Sequence, residues 1–382
     1  MTYLHDILNP QLLVDKIMQG YISVQKADNG RKIYNYTHKC QFDQAWSHET
    51  MVCRGLITDE NEVIIGRPFP KFMNYGQTPI PKYALNSPPT FVSLKMDGSL
   101  GIIHWDPKNH WWDIATRGSF YSDQAQWARD YMHRTYGLEY LTNPASFGGL
   151  GTTTLVEIIY PGNRIVVDYG KEEKLAYLAL IDNRSGEDLF PANFGWDPSE
   201  VFYVPENFRI GEVQDAYLLA TSEEFEDQEG VVACWVRPGE TSFRLKFKHP
   251  RYLELHKCLT GVTTKTIWQY MSTGDMEHRD FVINNVPDEM FRWMMRVEDE
   301  LEQQSRHILH LVDQDFTKIC QQIGEPQNTP EYKRKFAELA LNKQNSGMIF
   351  AYRDQNFPKL RRMVWDQIKP KGNQPFRVDE DV

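Results

Sequence analysis

The segment SLKMDGSLGI (residues 93–102) seats one lysine, Lys95, two residues ahead of Asp97-Gly98, with apolar strand-like sequence on both sides. A lysine ending a buried strand costs free energy unless it has a partner or a task. Three other segments offer charge. TLVEIIYPGNRIVV sets Glu157 among Leu155, Val156, Ile158 and Ile159, and DQEGVVACW sets Glu229 just before a strand. FRLKFK alternates Phe243, Leu245 and Phe247 with Arg244, Lys246 and Lys248. Strand geometry puts those three cations on one face, roughly 7 Å apart. Taken singly, Glu157 could point to solvent and the cations could be the outer face of an ordinary strand. Taken together, two carboxylates and several lysines suit a metal–nucleotide site. Carboxylates hold Mg²⁺, often through waters, and lysines take phosphates.

The elements that must position these groups are short strands up to about residue 255. TTTLVEIIY (152–160), RIVVDY (164–169) and LAYLALI (175–181) are β-branched and apolar, and predict strands. GVVACWV (230–236) and FRLKFK (243–248) flank RPGETS, a hairpin connection. Residues 122–137 predict a helix with Ser122 as N-cap and Gly137 as its stop. Gly98 is expected to sit at positive φ in a turn. After about residue 255 helical periodicity takes over, at 288–322, 330–345 and near 354–368, with Pro326 and Pro330 between the first two. The fold class is therefore α+β: residues 1–255 form a domain of sheets and helices, and residues 256–382 an all-helical domain.

Composition narrows the class. With 382 residues and 41% hydrophobic content, the chain can bury two cores, and a net charge of −10 excludes a uniformly basic nucleic-acid binder. Five cysteines (40, 53, 234, 258 and 320) form no CxxC, so neither a zinc site nor a disulfide framework is expected, and a reducing cytoplasm fits. The N-terminus lacks a signal-peptide pattern and no stretch reaches membrane-span length, so no membrane is expected. No heptad seam is present, so a monomer is expected. No P-loop motif occurs. The C-terminal tail is locally basic, with Arg353, Lys359, Arg361, Arg362, Lys369, Lys371 and Arg377. It is either an RNA-backbone contact or a solvated helix face. The closing DEDV is expected to be disordered.

Lys95-Met96-Asp97-Gly98 resembles the KxDG signature of covalent nucleotidyltransferases, which include polynucleotide ligases and RNA-capping enzymes. The series CRGLI, RPFPKFMNYG, LKMDGSL, ATRGS, VEIIYPGNRIVV, EGVVACW and RLKFKHPRYLELH is similar, in that order, to ATP-dependent phage RNA ligases of the RNA ligase 1 type, over roughly residues 30–256. The run Pro161–Tyr169 favours that branch over capping enzymes and DNA ligases.

The resemblance implies a ligase-type nucleotidyltransferase domain of antiparallel sheets flanked by helices. It implies three steps: lysyl-AMP formation from ATP, transfer of AMP to an RNA 5′-phosphate, and attack by a 3′-hydroxyl. Lys95 matches the nucleophile, and neighbouring cations (Lys246, Lys248, bound metal) are expected to lower its pKa. Glu157 and Glu229 match acidic residues that serve metal and nucleotide, and Asp97 is expected to help position water on Mg²⁺, or on Mn²⁺ in its place. Lys246 and Lys248 match phosphate contacts. Tyr36, Arg54, Lys71 and Arg117 match nucleotide-contacting positions, although at 117 the family often has lysine. Tyr252 matches a functional aromatic, with a core tyrosine as the other reading. Position 96, often acidic in relatives, is Met, which is neutral for chemistry if it faces away from the lysine. Implied partners are single-stranded RNA, in particular tRNA with a cleaved anticodon loop, and a separate polynucleotide kinase/phosphatase. Implied location is the cytoplasm, that of the host for a phage-encoded chain. The alternatives are a GTP-using capping-type enzyme and a catalytically silent RNA-binding protein.

Overall fold

The computed structural model describes residues 1–283 and 288–373, with side chains throughout except at 257–260, 278, 281–283 and 288–292. Arg377, the DEDV end and the side chain of Cys258 lie outside the described residues. Two compact units result, Met1–Glu254 and Leu255–Arg377.

The first unit holds three sheets. β1 (Ile22–Lys26), β2 (Lys32–Tyr36), β3 (Arg54–Thr58) and β4 (Ile64–Gly66) form an antiparallel sheet in chain order. The remaining strands are β5 (Met73–Asn74), β6 (Phe91–Leu94), β7 (Ser99–Asp106), β8 (Trp111–Thr116), β9 (Thr152–Ile159), β10 (Lys174–Asp182), β11 (Asp188–Leu189), β12 (Asn207–Phe208), β13 (Gly230–Trp235) and β14 (Phe243–Lys248). The second sheet runs β11-β10-β9-β7-β8 and the third β12-β6-β13-β14-β5. Every pairing is antiparallel except β14 with β5.

The second sheet is buried on both faces, which is why β9 reads as an unbroken apolar run. Ile103, Ile114, Val156 and Ile158 pack on Ala128 and Met132 of the helix Asp123–Thr142. Their neighbours Ile102, Ala115 and Leu155 pack on Ile33 and Ile57 of the first sheet. Alternation then places Glu157 with Leu155, on the face toward the first sheet. In the third sheet Val92, Val231, Ala233, Leu245 and Phe247 bury against Ala84, Ala216 and Ala220, leaving residues 244, 246 and 248 on the opposite face.

Three local expectations are corrected. Gly137 (φ 73°) breaks the helix that Ser122 caps without ending it, and helical residues resume to Thr142. Residues 164–169 are not a strand: the N–H groups of Val166 and Val167 both donate to Asp97 Oδ2 at 2.8 Å, so they do not enter a ladder. Gly98 is not at positive φ. Its requirement is space, because a Cβ there would lie 2.5 Å from the Ile158 carbonyl oxygen.

The second unit is helical throughout its described residues, with Thr264–Thr273, Asp288–Ile323, Pro330–Ala340, Ser346–Arg353 and Phe357–Gln367 as its main helices. Met294, Val297, Leu301, Ile308, Val312 and Ile319 make one buried stripe along the long helix. Several cations of the basic tail are engaged internally. Arg353 pairs with Asp354 and lies 5.0 Å from the Phe336 ring, Lys369 lies 4.7 Å from the Trp268 ring, and Arg361 donates to the Met271 carbonyl. No helix among the described residues is long and apolar enough to cross a membrane.

Candidate active site

The site lies where strand ends of all three sheets of the first unit meet. Lys95 directly follows β6, and its N–H donates to the Gly230 carbonyl at the start of β13. Glu229 precedes β13, and Lys246 and Lys248 come from β14. The β13–β14 register sets Gly230 opposite Lys248 and Val232 opposite Lys246, so the sequence-predicted hairpin delivers both lysines beside Glu229.

Glu229, 2% exposed, bridges two cations: Lys95 Nζ lies 2.6 Å from Oε2 and Lys248 Nζ 2.7 Å from Oε1. Burial pushes the Glu229 carboxyl up, but the two ammonium groups outweigh it and hold it below its usual range. The expectation that cations lower the pKa of Lys95 is overturned. Burial works in that direction, but Glu229 and then Glu157 outweigh it, and the net shift is upward. Lys246 is depressed instead, brought to about 6 by burial and by Lys71, Lys95 and Lys248, and burial lowers Lys71 and Arg54 as well. Glu157 Oε1 accepts the Gly98 N–H at 3.1 Å, and burial raises its carboxyl to about 7.

A second group of cations collects on aromatic faces. Arg117 Nη1 donates to the Tyr36 hydroxyl at 3.1 Å, and its guanidinium lies 5.2 Å from that ring. Lys71 Nζ lies 5.4 Å from the Tyr36 ring and 5.1 Å from that of Trp46. Arg54 lies over Phe69 and Phe72, and Lys246 over Phe72. Gly55 (φ 90°) lets these groups converge, since a Cβ there would meet the Arg117 carbonyl oxygen at 3.0 Å. Arg54 Nη1 is buried without a hydrogen-bond partner among the described residues. Burial pushes the Tyr36 hydroxyl up, but Arg117, Arg54 and Lys71 outweigh it and lower its pKa. A cavity of about 260 Å³ opens beside Lys71, between Phe69, Phe72 and Phe243.

Arg54, Lys71, Arg117 and Lys246 thus stand together with no carboxylate in salt-bridge reach among the described residues. Such an excess of positive charge in a half-buried site suits a polyphosphate.

Other predicted residues take different places. Arg244 shares the face of Lys246 and Lys248, but it is 5% exposed, ion-paired to Asp188 and packed on Phe69. Asp97 is turned into the core of the unit. It is 3% exposed, Oδ2 accepts from Val166 and Val167, and Oδ1 accepts from the Tyr252 hydroxyl at 2.7 Å. That bond, with 3% exposure, makes Tyr252 a core residue under the site. Met96 is buried with Ile159 and Ala176, away from the lysine. No cluster of three His, Cys, Asp or Glu suited to a metal ion occurs among the described residues. The donor set therefore does not build a resident metal centre. Its carboxylates fit only a cation that arrives already ligated by phosphates and water.

Trp46, Phe69 and Phe72 as cation-bearing faces, and Tyr169 and Asn163 as hydrogen-bond partners, were not among the residues singled out by sequence reasoning. For the last two the one signal was a place in the run Pro161–Tyr169 that carries the family resemblance, and Tyr169 also closes the stretch 164–169 that reads as a strand.

A family model described as RNA ligase matches residues 52–252. An RNA ligase of Rhodothermus phage RM378 is 23% identical over 427 aligned residues, covering 95% of this chain and 93% of that one. Among solved structures, an archaeal ATP-dependent RNA ligase aligns with a TM-score of 0.44 and 12% identity, over 87% of this chain and 86% of its own. A Naegleria gruberi RNA ligase with PPi aligns with a TM-score of 0.37 and 18% identity over 51% of this chain, which spans 61% of that chain's length.

Proposed function

The chain belongs to the phage RNA ligase family whose model it matches, and we propose that it joins 5′-phosphate and 3′-hydroxyl ends of single-stranded RNA at the expense of ATP, through a lysyl-AMP and an adenylated RNA. The observation that carries this reading is the placement of Lys95 beside Lys246, which joins Arg54, Lys71 and Arg117 in a group with no carboxylate in salt-bridge reach among the described residues. Arg54, Lys71, Arg117 and Lys246 receive the triphosphate. Lys95, whose side chain is 21% exposed, gives its proton to water and attacks the α-phosphorus. A P–N bond forms as the bond from the α-phosphorus to the pyrophosphate oxygen breaks. The RNA 5′-phosphate then takes the AMP, with a P–O bond replacing the P–N bond. Last, the 3′-oxygen attacks the 5′-phosphorus and AMP departs.

Glu229 orients Lys95 and Lys248 in the resting site, and Glu157 fixes the Gly98 peptide beside it. A divalent cation, Mg²⁺ or Mn²⁺, enters as part of the nucleotide co-substrate and supplies charge neutralisation on the phosphates. The family resemblance points to tRNA cleaved in its anticodon loop as the RNA, with ends prepared by a separate kinase/phosphatase, and to a cytoplasmic monomer. Here the helical unit has an RNA-binding role.

The test is incubation of the purified protein with Mg²⁺ and α-labelled ATP or GTP, followed by a denaturing gel. Label from ATP alone, lost in Lys95→Ala, is the expected result. Label from GTP moves the chain to capping-type chemistry. No label on a folded protein whose mass shows no bound AMP leaves the RNA-binding reading in its place.

A further inference from the structure

We propose that Tyr169 is a positioning residue for Lys95, and that the segment 161–169 is a strap holding the backbone that aims the lysine. The inference rests on the lysyl-AMP reading above. The two residues after Lys95 are both held by Tyr169. Its ring packs on the buried Met96 cluster, and its hydroxyl oxygen accepts the Asp97 N–H at 2.8 Å. Asp97 in turn takes the N–H groups of Val166 and Val167, each at 2.8 Å. At the other end of the strap Asn163, 2% exposed, accepts from Ser99 Oγ at 3.1 Å and donates to the Ile158 carbonyl at 2.8 Å. Residues 96, 97 and 99 are therefore tied to one loop, while the Lys95 N–H is tied to Gly230 on the other side.

This arrangement matters to the reaction for a geometric reason. In the resting site Lys95 Nζ is placed by Glu229. Once the amine has lost its proton that ion pair no longer guides it, and the backbone alone sets its line of approach. Attack on phosphorus needs near-attack alignment, and misplacement by about 1 Å costs on the order of a hundredfold in rate. The strap serves the steps that use Lys95 and contributes nothing to the last step, in which the lysine is not a nucleophile.

The experiment compares wild type with Tyr169→Phe, which keeps the ring on Met96 but leaves the buried Asp97 N–H without its acceptor. Three quantities are read: the single-turnover rate constant of adenylylation at saturating ATP, the ATP concentration for half-saturation, and sealing of a pre-adenylated RNA. The expected result is a loss of between about tenfold and a hundredfold in the first, with the other two within about twofold of wild type. Equal loss in adenylylation and sealing, or no loss in either, overturns the strap. If Tyr169→Phe does not fold, Ser99→Ala cuts the Asn163 tie at the opposite end. The same split is expected there, and its absence is equally decisive. A wild-type protein that takes no AMP defeats the underlying reading, whereas equal labelling of wild type and variant defeats only the strap.

Discussion

Lys95 and Glu229 form a 2.6 Å ion pair, and Glu229 and then Glu157 outweigh burial and hold the lysine above its usual ammonium range, so it rests protonated. The same carboxylate holds Lys248. The pair stabilises the fold between the usual carboxyl and ammonium ranges. The depressed pKa of Glu229 gives stability present above its usual 4.5 and lost as pH falls through its folded value. The raised pKa of Lys95 gives stability present below its usual 10.5 and lost as pH rises through its folded value.

Replacing the lysine separates the steps. Lys95→Ala is expected to lower adenylylation by more than about a thousandfold while keeping sealing of pre-adenylated RNA within about tenfold. Gel assays with labelled ATP and with chemically adenylated RNA check both halves. Loss of sealing in a folded mutant would count against the nucleophile assignment.

Removing the carboxylate charge moves the pH profile. Glu229→Gln deletes the largest influence raising Lys95, so the pH of half-maximal adenylylation is expected to fall. The maximal rate falls as well, because Lys248 loses its partner. A profile measured from pH 6 to 10 that shifts alkaline, or does not shift, sinks the idea that Glu229 stores the proton.

Lys246 makes anion binding take up a proton. With its pKa near 6, the free site is largely neutral at that residue at pH 7.5, and a bound polyphosphate restores the charged form. Calorimetric titration with pyrophosphate in two buffers of different ionisation enthalpy is expected to report uptake of about half to one proton. Lys246→Met abolishes that uptake. Since the unfolded lysine binds a proton up to its usual 10.5, the same group makes stability rise with pH between about 6 and 10.5.

Arg244 is a structural cation. Asp188→Ala leaves its guanidinium buried and unpaired, at a cost of about 3–5 kcal/mol, read as a lowered Tm. Arg244→Met with Asp188→Leu is expected to recover most of that loss and to keep adenylylation near wild type. A double mutant as stable as wild type yet unable to bind ATP would return Arg244 to the phosphate contacts.

Gly98→Ala is expected to abolish adenylylation while the protein remains folded by circular dichroism. The new methyl group meets the Ile158 carbonyl oxygen at 2.5 Å and Glu157 Cγ at 3.1 Å, so it drives the turn off β9. Wild-type rates in this variant would show that the close approach is dispensable.

The strands that carry charge were legible in the sequence because their alternation survives folding. FRLKFK and GVVACWV pair as their turn chemistry predicts, and TTTLVEII is a strand buried on both faces. Charge partners were not legible, because pairing depends on contacts between remote segments. Arg244 looks like Lys246 in sequence, and only Asp188, 56 residues away, distinguishes them. RIVVDY carries every local mark of a strand, but a carboxylate on Asp97 claims its N–H groups. The direction of the Lys95 shift was missed for a related reason. The nearby lysines are visible in the motif, whereas the carboxylate at 2.6 Å is a fact of tertiary structure.

Leu94 ends a strand of the third sheet and Ser99 begins one of the second, so the four residues 95–98 are the chain's entire passage between them. One end is pinned to Gly230 and the other to Glu157. Mechanically, Lys95 sits at a fulcrum: any change in tilt between the two sheets becomes a displacement of its amine against Lys246 and Lys248 of β14. Substitutions in the apolar wedge of Met96, Ile159 and Ala176 are therefore expected to register first as a misplaced Lys95 amine, before they register as a less stable protein.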